Sequence, residues 1–227
     1  MIIDIPENKR IGVMVSGGID SAILWYLVYS ECVKRGQECI AFTGPKLDSS
    51  VPHSTSVLEY VADEVGGDVR KPVVLGGPAI PGEEDIWVSL RCLKAVVDNH
   101  LADIIYGGEN LWPSDEVKRE FEPDETSWPY RPRTGEEGSY KIYDRLITHE
   151  GSTTEGIIPF RDLTKDETLN ILVEMGKSDV LRELGRRTRS CILPPENLGH
   201  PGRCNFCFWC KERAWAFNRA GVEDLGV

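Results

Sequence analysis

The sequence predicts an α/β protein, with a doubly wound and mostly parallel sheet and a helical, metal-binding region at the C-terminal end. Two observations predict this fold class. Short apolar segments alternate with helical patterns through residues 11–108, as they do in repeated β–α–β units. Four cysteines then crowd into residues 191–210, a spacing typical of a small metal-bound region.

The predicted strands and helices follow one another in order along the first half of the chain. Strands are predicted over residues 11–15, 38–43, 69–75 and 103–108, and helices over residues 22–35, 57–65 and 84–102. Parallel sheets bind ligands beyond the carboxyl ends of their strands. The loops at those ends are rich in glycine, proline and polar residues, so we expect the functional site among them. They span residues 16–21, 43–53, 76–82 and 107–114.

The second half of the chain contains a long predicted loop and a helical end. Residues 109–140 carry many charges and several prolines, and a loop of this length has the properties of a lid. Thr164 is a favourable helix N-cap with Glu167 at the capping-box position, which predicts helices over residues 165–175 and 178–184. The sequence therefore predicts an α/β core at residues 1–160 and a helical part with the cysteines at residues 161–227, packed together as one compact unit.

The composition predicts a cytoplasmic globular protein that acts on a small molecule. Hydrophobic residues make up 41% of the chain and charged residues 28%. The sequence has no apolar run long enough to span a membrane, and its first residues lack the basic and apolar regions of a secretory signal. The net charge of −11 repels phosphate backbones, which argues against a nucleic-acid partner but not against a nucleotide or a base.

The turn after the first predicted strand, Ser16-Gly17-Gly18-Ile19-Asp20-Ser21, has the properties of an anion site. Glycine lets the backbone turn sharply and approach a ligand. The first N–H groups of the following helix point outward and carry partial positive charge. Ser16 and Ser21 add hydroxyl donors, and Asp20 or Ser21 is expected to cap the helix. An ordinary glycine-rich turn without a ligand is the competing interpretation.

The cysteine pattern Cys191-x12-Cys204-x2-Cys207-x2-Cys210 is typical of a structural zinc site. Each Cys-x2-Cys pair brings two thiolates onto one ion, and a fourth thiolate supplied across a loop completes a tetrahedral shell. A redox-active pair and an iron–sulfur cluster are the alternatives. The other three cysteines, Cys32, Cys39 and Cys92, lie in apolar segments and are predicted to be core residues.

The motif Ser-Gly-Gly-x-Asp-Ser resembles the PP-loop of the ATP pyrophosphatases, which cleave ATP between its α- and β-phosphates. Together with the cysteines, it resembles the 7-cyano-7-deazaguanine synthase family in particular. The matching features are Ser190-Cys191, the three closely spaced cysteines and the helix at residues 211–217. The Pro-Phe-x-x-Leu-Thr-Lys-x-Glu stretch at residues 159–167 also resembles a later motif of the PP-loop families. The middle of the chain departs from the family, with Thr43-Gly44-Pro45 where a Tyr-Gly-Gln-x-His element is usual.

The resemblance implies an ATP-dependent, adenylating ligase with Mg²⁺ and Zn²⁺ as its metals. The family joins ammonia to 7-carboxy-7-deazaguanine, releases AMP and pyrophosphate, and dehydrates the amide to a nitrile with a second ATP. Catalytic roles then fall on Lys165, Ser16 and Asp20, with Lys165 reaching the phosphates. Nucleotide-binding roles fall on Ser16, Gly17, Gly18, Ile19, Asp20, Ser21 and Thr43, and zinc-binding roles on Cys191, Cys204, Cys207 and Cys210.

Two other functions remain open at the level of sequence. A different PP-loop enzyme would modify a tRNA base or a small carboxylate. A non-catalytic protein would instead use the same fold to hold a nucleotide or a partner. The amine that joins the activated acid, ammonia or another, is also open, as is assembly into a homodimer.

Overall fold

The computed structural model describes residues 3–46, 50–77, 85–129, 154–191 and 202–226. Its centre is a sheet of five strands, all parallel, in the order β3-β2-β1-β4-β5. The strands are β1 (Ile11–Met14), β2 (Cys39–Thr43), β3 (Val73–Val74), β4 (Ile104–Tyr106) and β5 (Glu155–Ile157). The helices are α1 (Ile19–Arg35), α2 (Ser50–Val65), α3 (Asp85–Asp98), α4 (Asp115–Phe121), α5 (Lys165–Glu174), α6 (Ser178–Arg187) and α7 (Phe208–Arg219).

The sheet has helices on both faces, which confirms the predicted fold class. Alternate strand residues face opposite sides, so Ile11 and Val13 join the core formed with α1, α2, α5, α6 and α7. Met14, Phe42 and Ile105 join a second, smaller core against α3. The two layers are unequal, and the larger one brings the C-terminal helices to the same side of the sheet as α1.

Local signals account for the best-predicted elements. Helix α1 ends at Gly36, whose φ of 63° lies in the left-handed region that glycine adopts easily. Helix α5 begins with the predicted capping box, in which the Glu167 carboxylate accepts the backbone N–H of Thr164 at 2.8 Å. Cys32, Cys39 and Cys92 are all buried, as predicted for core residues.

Several predicted boundaries were wrong. Helix α2 begins at Ser50 rather than at residue 57, because its polar first turn shows no apolar period and tolerates Pro52 there. Strand β3 is only two residues long and exposed. Strand β5 was not predicted, since Glu155-Gly156-Ile157 acquires strand geometry by pairing with β4.

The predicted loop at residues 109–140 is only partly described, up to residue 129. That part contains α4 and a short 3₁₀ helix at Glu125–Ser127. It is therefore not a structureless loop. Ser114 caps α4 by accepting the backbone N–H of Val117, a local signal that the charged composition of the stretch obscured. The division of the chain at residue 160 stays a prediction. Among the described helices, none is long and apolar enough to cross a membrane.

Candidate phosphate site and cysteine cluster

The glycine turn lies at the carboxyl end of β1, between β2 and β4 in the sheet. Strand order reverses direction there, which is where open α/β sheets bind their ligands. Helix α1 starts with Gly18 as its N-cap, and no side-chain hydrogen bond caps it. The expectation that Asp20 or Ser21 caps the helix is therefore wrong. The uncapped N-terminus leaves α1 backbone N–H groups for an anion.

Ser21 has a different role, because its hydroxyl closes the turn. The Ser21 Oγ accepts the backbone N–H of Ser16 at 3.1 Å and donates to the Gly18 carbonyl at 3.0 Å. The Ser16 Oγ lies 3.1 Å from the Ser21 Oγ. The Ser21 side chain is buried, whereas Ser16 is partly exposed. Ser16 is thus the hydroxyl of the pair that can face a ligand.

Two glycines allow other segments to press closely on the turn. Gly17 has a φ of 83°, and a Cβ built on it would lie 2.9 Å from the Ser50 carbonyl oxygen at the start of α2. A Cβ on Gly108, after β4, would lie 2.9 Å from the Ser21 Cα. The Gly17 carbonyl accepts the backbone N–H of Arg189 at 3.0 Å. The turn is therefore held by α2, by the β4 loop and by the segment that leads to Cys191.

Lys165, the first residue of α5, extends to the turn from far along the chain. Its Nζ lies 3.2 Å from Asp20 Oδ2 and 2.8 Å from Glu212 Oε2. The Lys165 and Glu212 side chains are only 8% and 6% exposed. Burial lowers the pKa of Lys165, but the two carboxylates more than offset it and the pKa is raised overall. The ammonium is consequently charged at neutral pH, next to the candidate phosphate site.

Glu212 was missed by the sequence analysis, since nothing in its local pattern marks it. It reaches Lys165 only because α7 packs on α5. Lys165 and its two carboxylates carry one excess negative charge. Asp20 Oδ1 is buried without a hydrogen-bond partner among the described residues. A hard cation such as Mg²⁺ binds carboxylate oxygens of this kind, so Asp20 fits the metal that accompanies a nucleotide.

Thr43 lies at the end of β2, with its side chain buried. Its hydroxyl is 3.3 Å from the Ser54 Oγ, and Ser54 in turn donates to the Val15 carbonyl at 2.8 Å. In this arrangement Thr43 stabilises the connection between β2 and α2. Its predicted contact with a nucleotide stays a prediction.

The four C-terminal cysteines converge on one point. All four Sγ atoms lie within 4.8 Å of one another, and those of Cys204 and Cys210 are 3.8 Å apart. A tetrahedral ion with metal–sulfur bonds of about 2.3 Å separates its sulfurs by about 3.8 Å. A multi-iron cluster spreads its thiolates more widely, since each binds a different iron. The four sulfurs are therefore close enough to bind one metal centre.

The surroundings of the thiols also fit a metal. Backbone N–H groups of Cys204 and Cys207 point at the sulfurs of Cys191 and Cys204, at 3.5 and 3.2 Å, and such donors stabilise thiolate charge. Without a metal, the neighbouring Cys207 thiol and burial raise the pKa of Cys210. An ion that binds here must displace protons, so its affinity falls at acid pH.

Comparison with known proteins adds little beyond the fold. No protein-family model matches the chain, and no curated protein matches it. Among the solved structures that resemble it is the U34-tRNA thiolase NcsA from Methanococcus maripaludis with its [4Fe-4S] cluster. The identity is 17% and the TM-score 0.47, over 75% of this chain and 58% of the thiolase chain. A likeness at that level carries no conclusion about activity or metal.

Fold and site together define an α/β protein with a candidate anion site at the reversal point of its sheet. A buried lysine and a four-cysteine cluster on the same side of the sheet complete the arrangement.

Proposed function

We propose that this protein is an ATP-dependent, adenylating ligase that activates a deazapurine carboxylate such as 7-carboxy-7-deazaguanine. The observation that carries the proposal is the approach of Lys165 to the turn at residues 16–21, where its Nζ lies 3.2 Å from Asp20 Oδ2. A helix N-terminus alone is a general anion site. A buried ammonium beside it supplies the second positive group that a departing pyrophosphate needs.

Several different groups at the turn bind the phosphates in this proposal. The uncapped N-terminus of α1 supplies backbone N–H donors, and Ser16 supplies a hydroxyl at the mouth of the turn. Lys165 stabilises the charge that develops on pyrophosphate as the bond between the α- and β-phosphates breaks. Mg²⁺, held by Asp20, would neutralise phosphate charge in the same place.

Activation is necessary because a carboxylate oxygen is a poor leaving group at neutral pH. The acid attacks the α-phosphate of ATP, which forms the acyl adenylate and releases pyrophosphate. Ammonia or another amine then attacks the acyl carbon, so that AMP departs and an amide forms. Dehydration of that amide to a nitrile would consume a second ATP. The net charge of −11 supports a small-molecule substrate over tRNA, because an acidic surface repels a phosphate backbone.

The four cysteines would hold Zn²⁺ in a structural site, since the thiolates themselves fill the tetrahedral shell. A filled shell leaves no position for a substrate. The proposed role of the ion is therefore to fix the fold around the first turn of α7.

The test is an incubation of the protein with ATP, Mg²⁺, ammonium and 7-carboxy-7-deazaguanine. We expect pyrophosphate release that depends on the acid, and a product whose mass identifies it as the amide or the nitrile. Lys165→Gln should lower the rate by about 100-fold or more, as loss of a charge-stabilising group does. Lys177→Met is the matched control, because Lys177 pairs with Glu64 on the surface and should leave the rate unchanged.

Three other results would contradict the proposal. Pyrophosphate release that requires tRNA would favour a tRNA-modifying enzyme. Pyrophosphate release with a different acid would refute the deazapurine substrate alone. ATP binding without turnover, unaffected by Ser16→Ala together with Lys165→Gln, would favour a non-catalytic nucleotide-binding protein.

A further inference from the structure

Four consecutive residues near the start of α7 contact four different parts of the molecule. They are Cys210 in the metal cluster, Lys211 with Glu122 at the end of α4, Glu212 with Lys165 on α5, and Arg213 with Thr188 and Asp224. Successive helical residues point about 100° apart, so these contacts surround the helix. The position of Glu212 is therefore fixed from every side.

The cysteine cluster is connected to the candidate phosphate site at two places. The backbone N–H of Arg189, two residues before Cys191, donates to the Gly17 carbonyl at 3.0 Å. Glu212, two residues after Cys210, pairs with Lys165, which also pairs with Asp20. Both ends of the cluster thus lie within two residues of a direct link to the turn.

We propose that Glu212 is a positioning residue, which holds the Lys165 ammonium against the turn and couples the cysteine-bearing helix to it. The inference rests on the proposed ATP turnover. A lysine side chain loses rotamer entropy when it is held in one place, so it needs a close partner to stay there. Glu212 is the closer and more buried of its two partners, at 2.8 Å and 6% exposed, whereas Asp20 is at 3.2 Å and 21% exposed.

The expected signature of this role is kinetic. Lys165 acts on charge that develops as pyrophosphate departs, so misplacing it affects the transition state more than the bound substrate. Glu212→Gln keeps the size of the side chain and its oxygen but removes its charge. We expect kcat for pyrophosphate release to fall by about 10–100-fold, as it does when the outer partner of a functional group is lost. KM for ATP should change less than threefold.

Two measurements distinguish positioning from a general loss of structure. Metal content and thermal midpoint are measured on Glu212→Gln, with Glu122→Gln as the matched control. Glu122 also pairs with α7, through Lys211 at 2.6 Å, but it does not touch Lys165. We expect normal metal content in both variants and a normal kcat in Glu122→Gln. An equal loss of kcat in Glu122→Gln would overturn the proposal.

A double-mutant cycle then tests whether Glu212 acts through Lys165. If it does, Glu212→Gln should change the rate of Lys165→Gln by less than twofold, because the group it positions is already gone. The positioning role is overturned if Glu212→Gln lowers the rate by the same factor in the wild-type and Lys165→Gln backgrounds. It is also overturned if Glu212→Gln alone has the wild-type rate. If the wild-type protein itself does not turn over ATP, the proposed function fails instead, and calorimetric binding of ATP to the wild type separates the two failures.

Discussion

The β1–α1 unit and helix α7 differ in what holds them in place. In β1 and α1 the buried side chains are almost all apolar, including Ile11, Val13 and Ile23. Their burial stabilises the fold whatever the pH or metal supply. In α7, Glu212 and Arg213 are buried together with Cys210, and each needs a specific partner. The β1–α1 unit is therefore an apolar scaffold. Helix α7 supplies charged groups to the site, and each of these groups is stable in the interior only with its partner.

Arg213 is a buried charge whose stability depends on its partners. The guanidinium is fully buried and donates to Asp224, to the Thr188 carbonyl at 3.0 Å and to the Gly185 carbonyl at 2.7 Å. Burial raises the pKa of Asp224, but Arg213 and Arg203 outweigh that effect and lower it overall. The carboxylate is therefore ionised at neutral pH and completes the pair. A buried charge with every partner in place is tolerated, and the same charge without its partner is strongly destabilising.

The largest expected effect comes from breaking the cysteine cluster. Cys210→Ser removes one buried thiolate, so the bound ion is lost and the free energy of unfolding falls by several kcal/mol. Amide hydrogen exchange should then show that α7 loses protection while β1 and β4 keep theirs. Cys92→Ala, in the small core against α3, is the control: it should reduce stability moderately and leave metal content intact. If α7 and β1 lose protection together, the two regions form one cooperative unit and do not differ in what stabilises them.

A smaller effect is expected from Arg213→Met, which removes one of the two arginines that pair with Asp224 and leaves Arg203 as the other. Urea unfolding should show a loss of about 3–5 kcal/mol. Adding Asp224→Asn should recover part of that loss, because it removes a buried carboxylate that Arg203 alone would have to compensate. Additive losses would mean that the ion pair is not what stabilises this region.

The smallest of the three is a steric change in the scaffold. A Cβ on Gly12 of β1 would lie 2.7 Å from the Phe42 ring and 3.0 Å from the Ala102 Cβ. Gly12→Ala should cost about 1–3 kcal/mol in urea unfolding, the usual penalty for overpacking. In a Phe42→Leu background the added cost should shrink, since the nearest ring atoms are gone. An unchanged cost there would point to backbone strain rather than packing.

Much of the scaffold was accessible from sequence because its signals are local. The apolar β1, the glycine turn and α1 occupy one continuous stretch. The capping box that starts α5 needs only Thr164 and Glu167. Strand β5 could not be predicted in this way, because its three residues become a strand only through pairing with β4.

The strand–turn–helix unit, the start of α5 and the grouping of four cysteines follow from local sequence. Each is specified by residues close together in the chain. That Lys165 meets both Asp20 and Glu212 is a property of the folded chain, since these three residues come from three separate helices. Their contact depends on how α1, α5 and α7 pack on one face of the sheet, and that packing is a property of distant side chains that no local pattern contains.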